Sequence, residues 1–142
     1  MNTYKGMIDS LPENGIFVFG SNTQGRHGKG AALKAKNEFG AIYGQSWGRQ
    51  GSSYAIVTKD LTKTQHPSIK TDKIIGQIEL LYSYSKKNSE LDFYVVYSGK
   101  GVNLNGYTPK HMADMFRLAT RRIQMPENII FEEEFAKLIE NG

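Results

Sequence analysis

The stretch GIFVFGSNTQGRHGKGAAL, residues 15–33, constrains this chain more than any other. Ile16 to Phe19 is a short apolar run between Asn14-Gly15 and Gly20-Ser21, and it reads as a buried strand. Ala31, Ala32, Ala35 and Phe39 recur at helical spacing and Gly40 supplies a stop, so a helix is expected over 31–39. Between strand and helix lies a turn rich in glycine that also carries an Arg, a His and a Lys. Glycines let the backbone turn sharply and let a ligand approach its N–H groups, and the helix start adds the positive end of a dipole. That combination favours phosphate. It is not a P-loop, because the GK[ST] ending is absent, and its spacing is not that of a dinucleotide fingerprint. A glycine-rich surface turn would read the same way, and one such loop does not separate the two.

The remainder of the chain alternates in the same manner. Strands are expected at 54–58, 93–97 and 128–131, and helices at 69–86, 109–122 and 133–139. Ile74, Ile75, Ile78, Leu81 and Tyr82 make one apolar face of the second helix. Thr108 is the expected N-cap of the third, with Pro109 at its first position. The pattern predicts a single α/β domain over 1–142 with helices on both faces of a largely parallel sheet. A second glycine-rich segment, SGKGVNLNGYTP, also follows a strand and precedes a helix. In a parallel sheet both loops emerge at the carboxyl ends of strands, where two of them can grip a pyrophosphate from both sides.

Composition narrows the class. The chain has no cysteine, which excludes disulfides and thiolate metal sites. No apolar run approaches the roughly 20 residues of a membrane span, and MNTYKGMIDS lacks the apolar core of a signal peptide. A cytoplasmic protein with no membrane partner is expected. The net charge of +4 suits an anionic ligand without forming the basic stripe of a dedicated nucleic-acid binder. His27, His66 and His111 have no metal-ligand spacing, so neither a metal site nor a cofactor is expected.

GSNTQGRHGKGAAL followed by Phe39-Gly40, then SYAIVTKD, then SGKGVNLNGYTP, resembles the macro domain, the ADP-ribose-binding module. The resemblance runs from about Ile16 to Phe131 and is closest to the compact branch that includes hydrolases of terminal ADP-ribose on glutamate. It implies a three-layer α/β/α fold with a mixed, largely parallel sheet. It implies that Gly20, Ser21 and Asn22 open the site, with Asn22 meeting the distal ribose. Gly28, Lys29 and Gly30 then form the first phosphate loop, and Ser98, Gly99, Lys100 and Gly101 the second. Lys59 falls where that branch carries a catalytic lysine that attacks the opened ribose as an amine. Asn103 stands where the branch has an Asp, and an amide is no general base. The family's adenine-reading Asp follows an N-terminal strand. Here that strand is expected to be trimmed, and Asp9 is the nearest candidate.

The resemblance implies binding of ADP-ribose, a related NAD-derived nucleotide, or an ADP-ribosylated protein or nucleic acid. The alternative is an ADP-ribosyl hydrolase using Lys59, or a water oriented by Asn22 and His27; a nucleic-acid-binding domain is the third reading. Several residues carry plainer readings as well. His27 is expected to be an exposed loop residue rather than a base, and Lys59 a phosphate or ribose contact rather than a nucleophile. Trp47 either stacks on a base or covers the edge of the core. Arg49, Arg121 and Arg122 are expected at the surface, and Glu132, Glu133 and Glu134 as a solvated face or a helix's first turn.

Overall fold

A computed structural model describes residues 1–142. The elements run β1 (Asn2–Tyr4), β2 (Gly15–Asn22), α1 (Gly30–Glu38), β3 (Gly48–Gln50), β4 (Ser53–Lys59), α2 (Thr71–Lys87), β5 (Asp92–Val95), α3 (Pro109–Leu118), β6 (Ile129–Glu132) and α4 (Glu133–Glu140). One six-stranded sheet has the order β1-β6-β5-β2-β4-β3. Every neighbouring pair is parallel except β3 with β4. The sheet is mixed and mostly parallel, as the strand–helix alternation predicts. No helix is long and apolar enough to cross a membrane.

Period-two alternation along β2 builds the layers. Ile16 and Val18 face a core filled by Ile78 and Leu81 of α2, Met112 and Phe116 of α3, and Phe135 and Ile139 of α4. Phe17 and Phe19 face the other way, onto Ala32 and Ala35 of α1. The alanines let α1 lie close to the sheet, and Phe39 at its end stacks on Phe17 at 4.7 Å. The segment carrying Ile8 and Leu11 closes that side. Burying each of these phenylalanine side chains contributes about 1.5–3 kcal/mol.

Several boundaries differ from expectation, each for a local reason. The N-terminal strand is present: Asn2–Tyr4 pairs with β6 through Ile130, Phe131 and Glu132. It is three residues long and polar, so it carries no apolar alternation. The edge strand β3 was invisible for the same reason. Helix α2 starts at Thr71 rather than 69, because Ile69 O accepts the Tyr107 hydroxyl at 2.6 Å and Ser68 Oγ accepts Asp60 N at 2.8 Å. Helix α3 ends at Leu118 and tightens into a single 3₁₀ turn at Ala119–Arg121, with the Thr120 hydroxyl on Arg117 O. Thr108 caps α3 as expected, accepting from His111 N at 3.1 Å.

Two side chains replace backbone pairing. Strand β3 covers only Ser53–Ala55 of β4, and beyond it Gln77 of α2 binds both Val57 N and Val57 O at 2.7 Å. At the other side, Glu132 is buried, not part of a solvated face. Its carboxylate accepts Glu134 N and Phe135 N, capping α4, and also Gly99 N at 2.9 Å. One carboxylate thus ties the second glycine loop to the start of α4. Glu132→Ala would leave three N–H groups without their acceptor, so it should cost about 2–3 kcal/mol. Equilibrium denaturation in urea measures this, and a change below about 0.5 kcal/mol would contradict the assigned role.

Candidate functional site

Strand β2 runs parallel to both β4 and β5, so all three end at one edge of the sheet. The loops 22–30 and 98–106 therefore face each other there. Between them lies a cleft with two joined lobes of about 270 and 330 Å³. Gly20, Lys29, Ala32, Thr58, Leu104 and Asn105 line both lobes. Gly30, Ser98, Lys100 and Asn103 belong to the first, and Ser21, Asn22, Arg26, Gly28 and Lys59 to the second. A third, more apolar lobe of about 410 Å³ continues past Gly30, Ala31, Val96 and Ser98 toward Tyr4, Met7, Ile8 and Phe17.

The first loop is held by its own side chains. Asn22 Oδ1 accepts Gln24 N and Arg26 N, and its Nδ2 donates to Arg26 O. The β2–β4 register slips between Ser21 and Asn22, so Asn22 comes opposite Lys59 and Thr58 is left over. That irregularity aims Thr58 at the floor of the cleft and Lys59 at its rim. Gly25 has φ +65° and meets the Gly44–Gln45 backbone, where a Cβ would lie 2.6 Å from Gly44 C.

His27 corrects the expectation of an exposed residue. It is fully buried, edge-on to Phe19, and lines neither lobe of the cleft. Its Nε2 lies 3.1 Å from both Gln45 O and Gln50 Oε1. Gln50 Oε1 is fixed as an acceptor by Ile42 N at 2.7 Å, so His27 Nε2 carries the proton. Nδ1 is left buried without a partner. His27 and Gln50 clip the first loop to residues 42–50. The imidazole is not placed to serve a ligand in the cleft.

Backbone donors remain free where the first loop enters α1. No protein group accepts the N–H of Gly28, Lys29, Gly30, Ala31 or Ala32. The helix start has neither a capping side chain nor an acidic residue in its first turn, which leaves the positive dipole end uncompensated. Gly30, with φ +55°, turns the chain into that helix.

The second loop divides differently. Gly99 N is held by Glu132 and Lys100 N by Ser98 Oγ, so neither is spare. Gly99 is small because α4 is close: a Cβ there would sit 2.6 Å from Glu134 Cβ and 2.9 Å from Glu134 C. This corrects the reading of Gly99 as a ligand-approach glycine; it is a packing glycine. Gly101, at φ +88°, and Gly106, at φ +86°, are the two that require left-handed backbone. Asn103 Nδ2 donates to Tyr107 O at 2.8 Å, so its amide braces the loop.

Charge and polarity in the cleft are one-sided. Arg26, Lys29, Lys59 and Lys100 line it, none of them in a salt bridge, and no Asp, Glu or His lines either lobe. Arg26, Thr58, Asn105 and Tyr97 join the lining without being among the expected site residues. Arg26 lay inside the quoted loop as a signal. Thr58 and Tyr97 read as ordinary strand residues. The Tyr97 hydroxyl sits over Gly20, where a Cβ would come within 2.4 Å of it. Burial pushes that phenol up to about 12, with Thr58 pulling it back, so it stays protonated at neutral pH.

Other candidates lie away from the cleft. Trp47 is half-exposed, edge-on to Tyr54, and lines none of the three lobes. Arg49 donates to Gly51 O and to the Tyr84 hydroxyl. Arg122 pairs with Glu79 at 3.6 Å, and Arg121 and His111 are exposed. His66 Nδ1 meets Ser68 Oγ at 2.7 Å. Asp9 is exposed and lines no lobe. No protein-family model and no curated protein matches this chain.

The two roles for glycine separate by stability. Gly28 has open space where a Cβ would go, so Gly28→Ala should change stability by less than about 0.5 kcal/mol. Gly99→Ala must push α4 aside and should cost about 1–3 kcal/mol. Thermal or urea melts of the two variants test the distinction, and equal losses would refute it.

Proposed function

We propose that the cleft binds the diphosphate of ADP-ribose or a close NAD-derived relative, and that the chain is a macro-like reader of that group. The observation that carries this is the pairing of four unpaired cations with the free N–H groups of Gly28 to Ala32 in one carboxylate-free cleft. A diphosphate bears two or more negative charges and needs several donors in a concave site, and that lining supplies both. The resemblance of the two glycine loops to the macro domain supports the same ligand. In this reading the distal ribose lies over Asn22 and Lys59, and the base lies in the apolar lobe past Gly30. An ADP-ribosyl group on a protein or nucleic acid enters from the open side.

Hydrolysis is the second reading, and one observation favours it: the slipped register brings Lys59 opposite Asn22. A lysine nucleophile needs a partner to move protons. His27 is buried elsewhere, and the Asn103 amide is committed to Tyr107 O. Reading without turnover is therefore the stronger proposal. Introducing the missing acid by Asn103→Asp would set a carboxylate oxygen against the Tyr107 carbonyl, so that variant should loosen the loop rather than create an enzyme.

Calorimetric titration with ADP-ribose, with AMP as control, tests the reading. Gly28→Val should stay folded, since its φ is not positive and no atom lies within 4 Å of a Cβ, yet lose binding by blocking the diphosphate. Lys59→Ala should weaken binding by about tenfold or less, the value of one partly exposed charge contact. Wild-type affinity in folded Gly28→Val would sink the phosphate-loop role. Robust hydrolysis of glutamate-linked ADP-ribose, abolished by Lys59→Ala, would replace the reader with an enzyme.

A further inference from the structure

The apolar lobe adjoining the cleft has its own chemistry. Tyr4, Met7, Ile8 and Phe17 wall it, and Lys34 and Glu132 are its charged residues. Gly30, Ala31, Val96 and Ser98 line both this lobe and the cleft, so a planar base here lies directly beside a diphosphate there. What such a base meets depends on which polar groups are still free.

The side-chain acceptors of the lobe are largely committed. The Glu132 carboxylate takes the N–H groups of Gly99, Glu134 and Phe135. The Ser98 hydroxyl closes on Lys100, donating to its carbonyl and accepting from its N–H. The Tyr4 hydroxyl donates to Val95 O, leaving only a phenol oxygen, a weaker acceptor than a carboxylate. Among the side-chain donors, Lys34 is not committed. The Lys34 ammonium holds Ile8 O with one hydrogen and keeps two. An ammonium cannot read an exocyclic amino group, which is itself a donor. It reads a ring nitrogen or an oxo oxygen.

We propose that Lys34 is the base-reading residue, and that the lobe takes 6-amino and 6-oxo purines alike by donating to an acceptor both possess. The inference rests on the cleft binding a diphosphate, and it deepens that reading by naming how the base is selected. A site that hydrogen-bonds a particular group rejects the analogue lacking it strongly, whereas a site that ignores the group does not.

The test is a titration of the full chain with ADP, IDP and inorganic pyrophosphate. ADP and IDP should bind within about threefold of each other, both more tightly than pyrophosphate. Lys34→Met should weaken both nucleotides by about tenfold or more and leave pyrophosphate unchanged, and Lys34→Arg should restore them. Urea melts check that both variants are folded. A preference for ADP over IDP beyond about tenfold would overturn the inference while leaving the cleft reading intact. So would nucleotide affinities untouched by Lys34→Met, or ADP binding no tighter than pyrophosphate. If neither nucleotides nor pyrophosphate bind the wild-type chain, the diphosphate reading itself fails, and the inference with it.

Discussion

The parallel pairing of β2 with β4 on one side and β5 on the other is the constraint on which the rest depends. It brings three strand ends to one edge, and everything in the cleft follows from that edge. Had β5 been antiparallel to β2, the second glycine loop would leave from the far end of the sheet; had β4 been, Thr58 and Lys59 would lie there. The pairing is secured from both faces, because β2 alternates Ile16 and Val18 against α2, α3 and α4 with Phe17 and Phe19 against α1. A one-residue slip would exchange these sets and move two phenylalanines into space shaped for smaller side chains. The slip that does occur is confined to the last pair, at Asn22 and Lys59, beyond the buried positions.

Loops rich in glycine are costly to order, since glycine loses more backbone freedom than any other residue. Here the order comes from a few side chains that bind backbone. Asn22 closes the first loop on itself, and His27 with Gln50 fastens it to residues 42–48. Glu132 fastens the second loop to α4, and Asn103 and Asn105 brace its far half against Tyr107. These contacts satisfy donors elsewhere in the loops and leave those of Gly28 to Ala32 without a protein acceptor. On the proposed reading, free donors in loops already ordered by such contacts meet an anion without first reorganising.

The fold was legible because its signals were apolar and periodic. The four buried strands and four helices carry alternation or helical spacing, and their boundaries moved at the ends: Tyr107 captured Ile69 O before α2, α3 tightened into a 3₁₀ turn after Leu118, β2 ran on to Asn22 and β5 stopped at Val95. Strands β1 and β3 were not legible: each is three residues long, sits at an edge, and reads NTY or GRQ. In the site, the two loops could be found from glycine alone, but not the job of each glycine. Gly28 and Gly99 look alike in the sequence. One has open space beside it and the other has α4 against it, a difference set by residues 28 and 134 being in unrelated parts of the fold. His27 failed for the same reason, because its polar neighbours Gln45 and Gln50 come from a segment with no strong pattern.

Under the proposed reading, binding and catalysis ask opposite things of this cleft. Arg26, Lys29, Lys59 and Lys100 share it without a counter-ion. Their mutual repulsion is small while water reaches them, on the order of 0.4 kcal/mol for a pair about 10 Å apart. The same charges become strongly favourable once an anion displaces that water and the local dielectric falls. A carboxylate within the cleft would cancel part of that field and compete with the ligand for the same donors. Yet a carboxylate is what a lysine nucleophile needs at its side to exchange protons. With Asn103 bonded to its own loop and His27 turned into the core, no group in the lining fills that role. On that reading, the composition that favours a diphosphate in the cleft is also the composition that leaves Lys59 without a carboxylate partner for proton exchange.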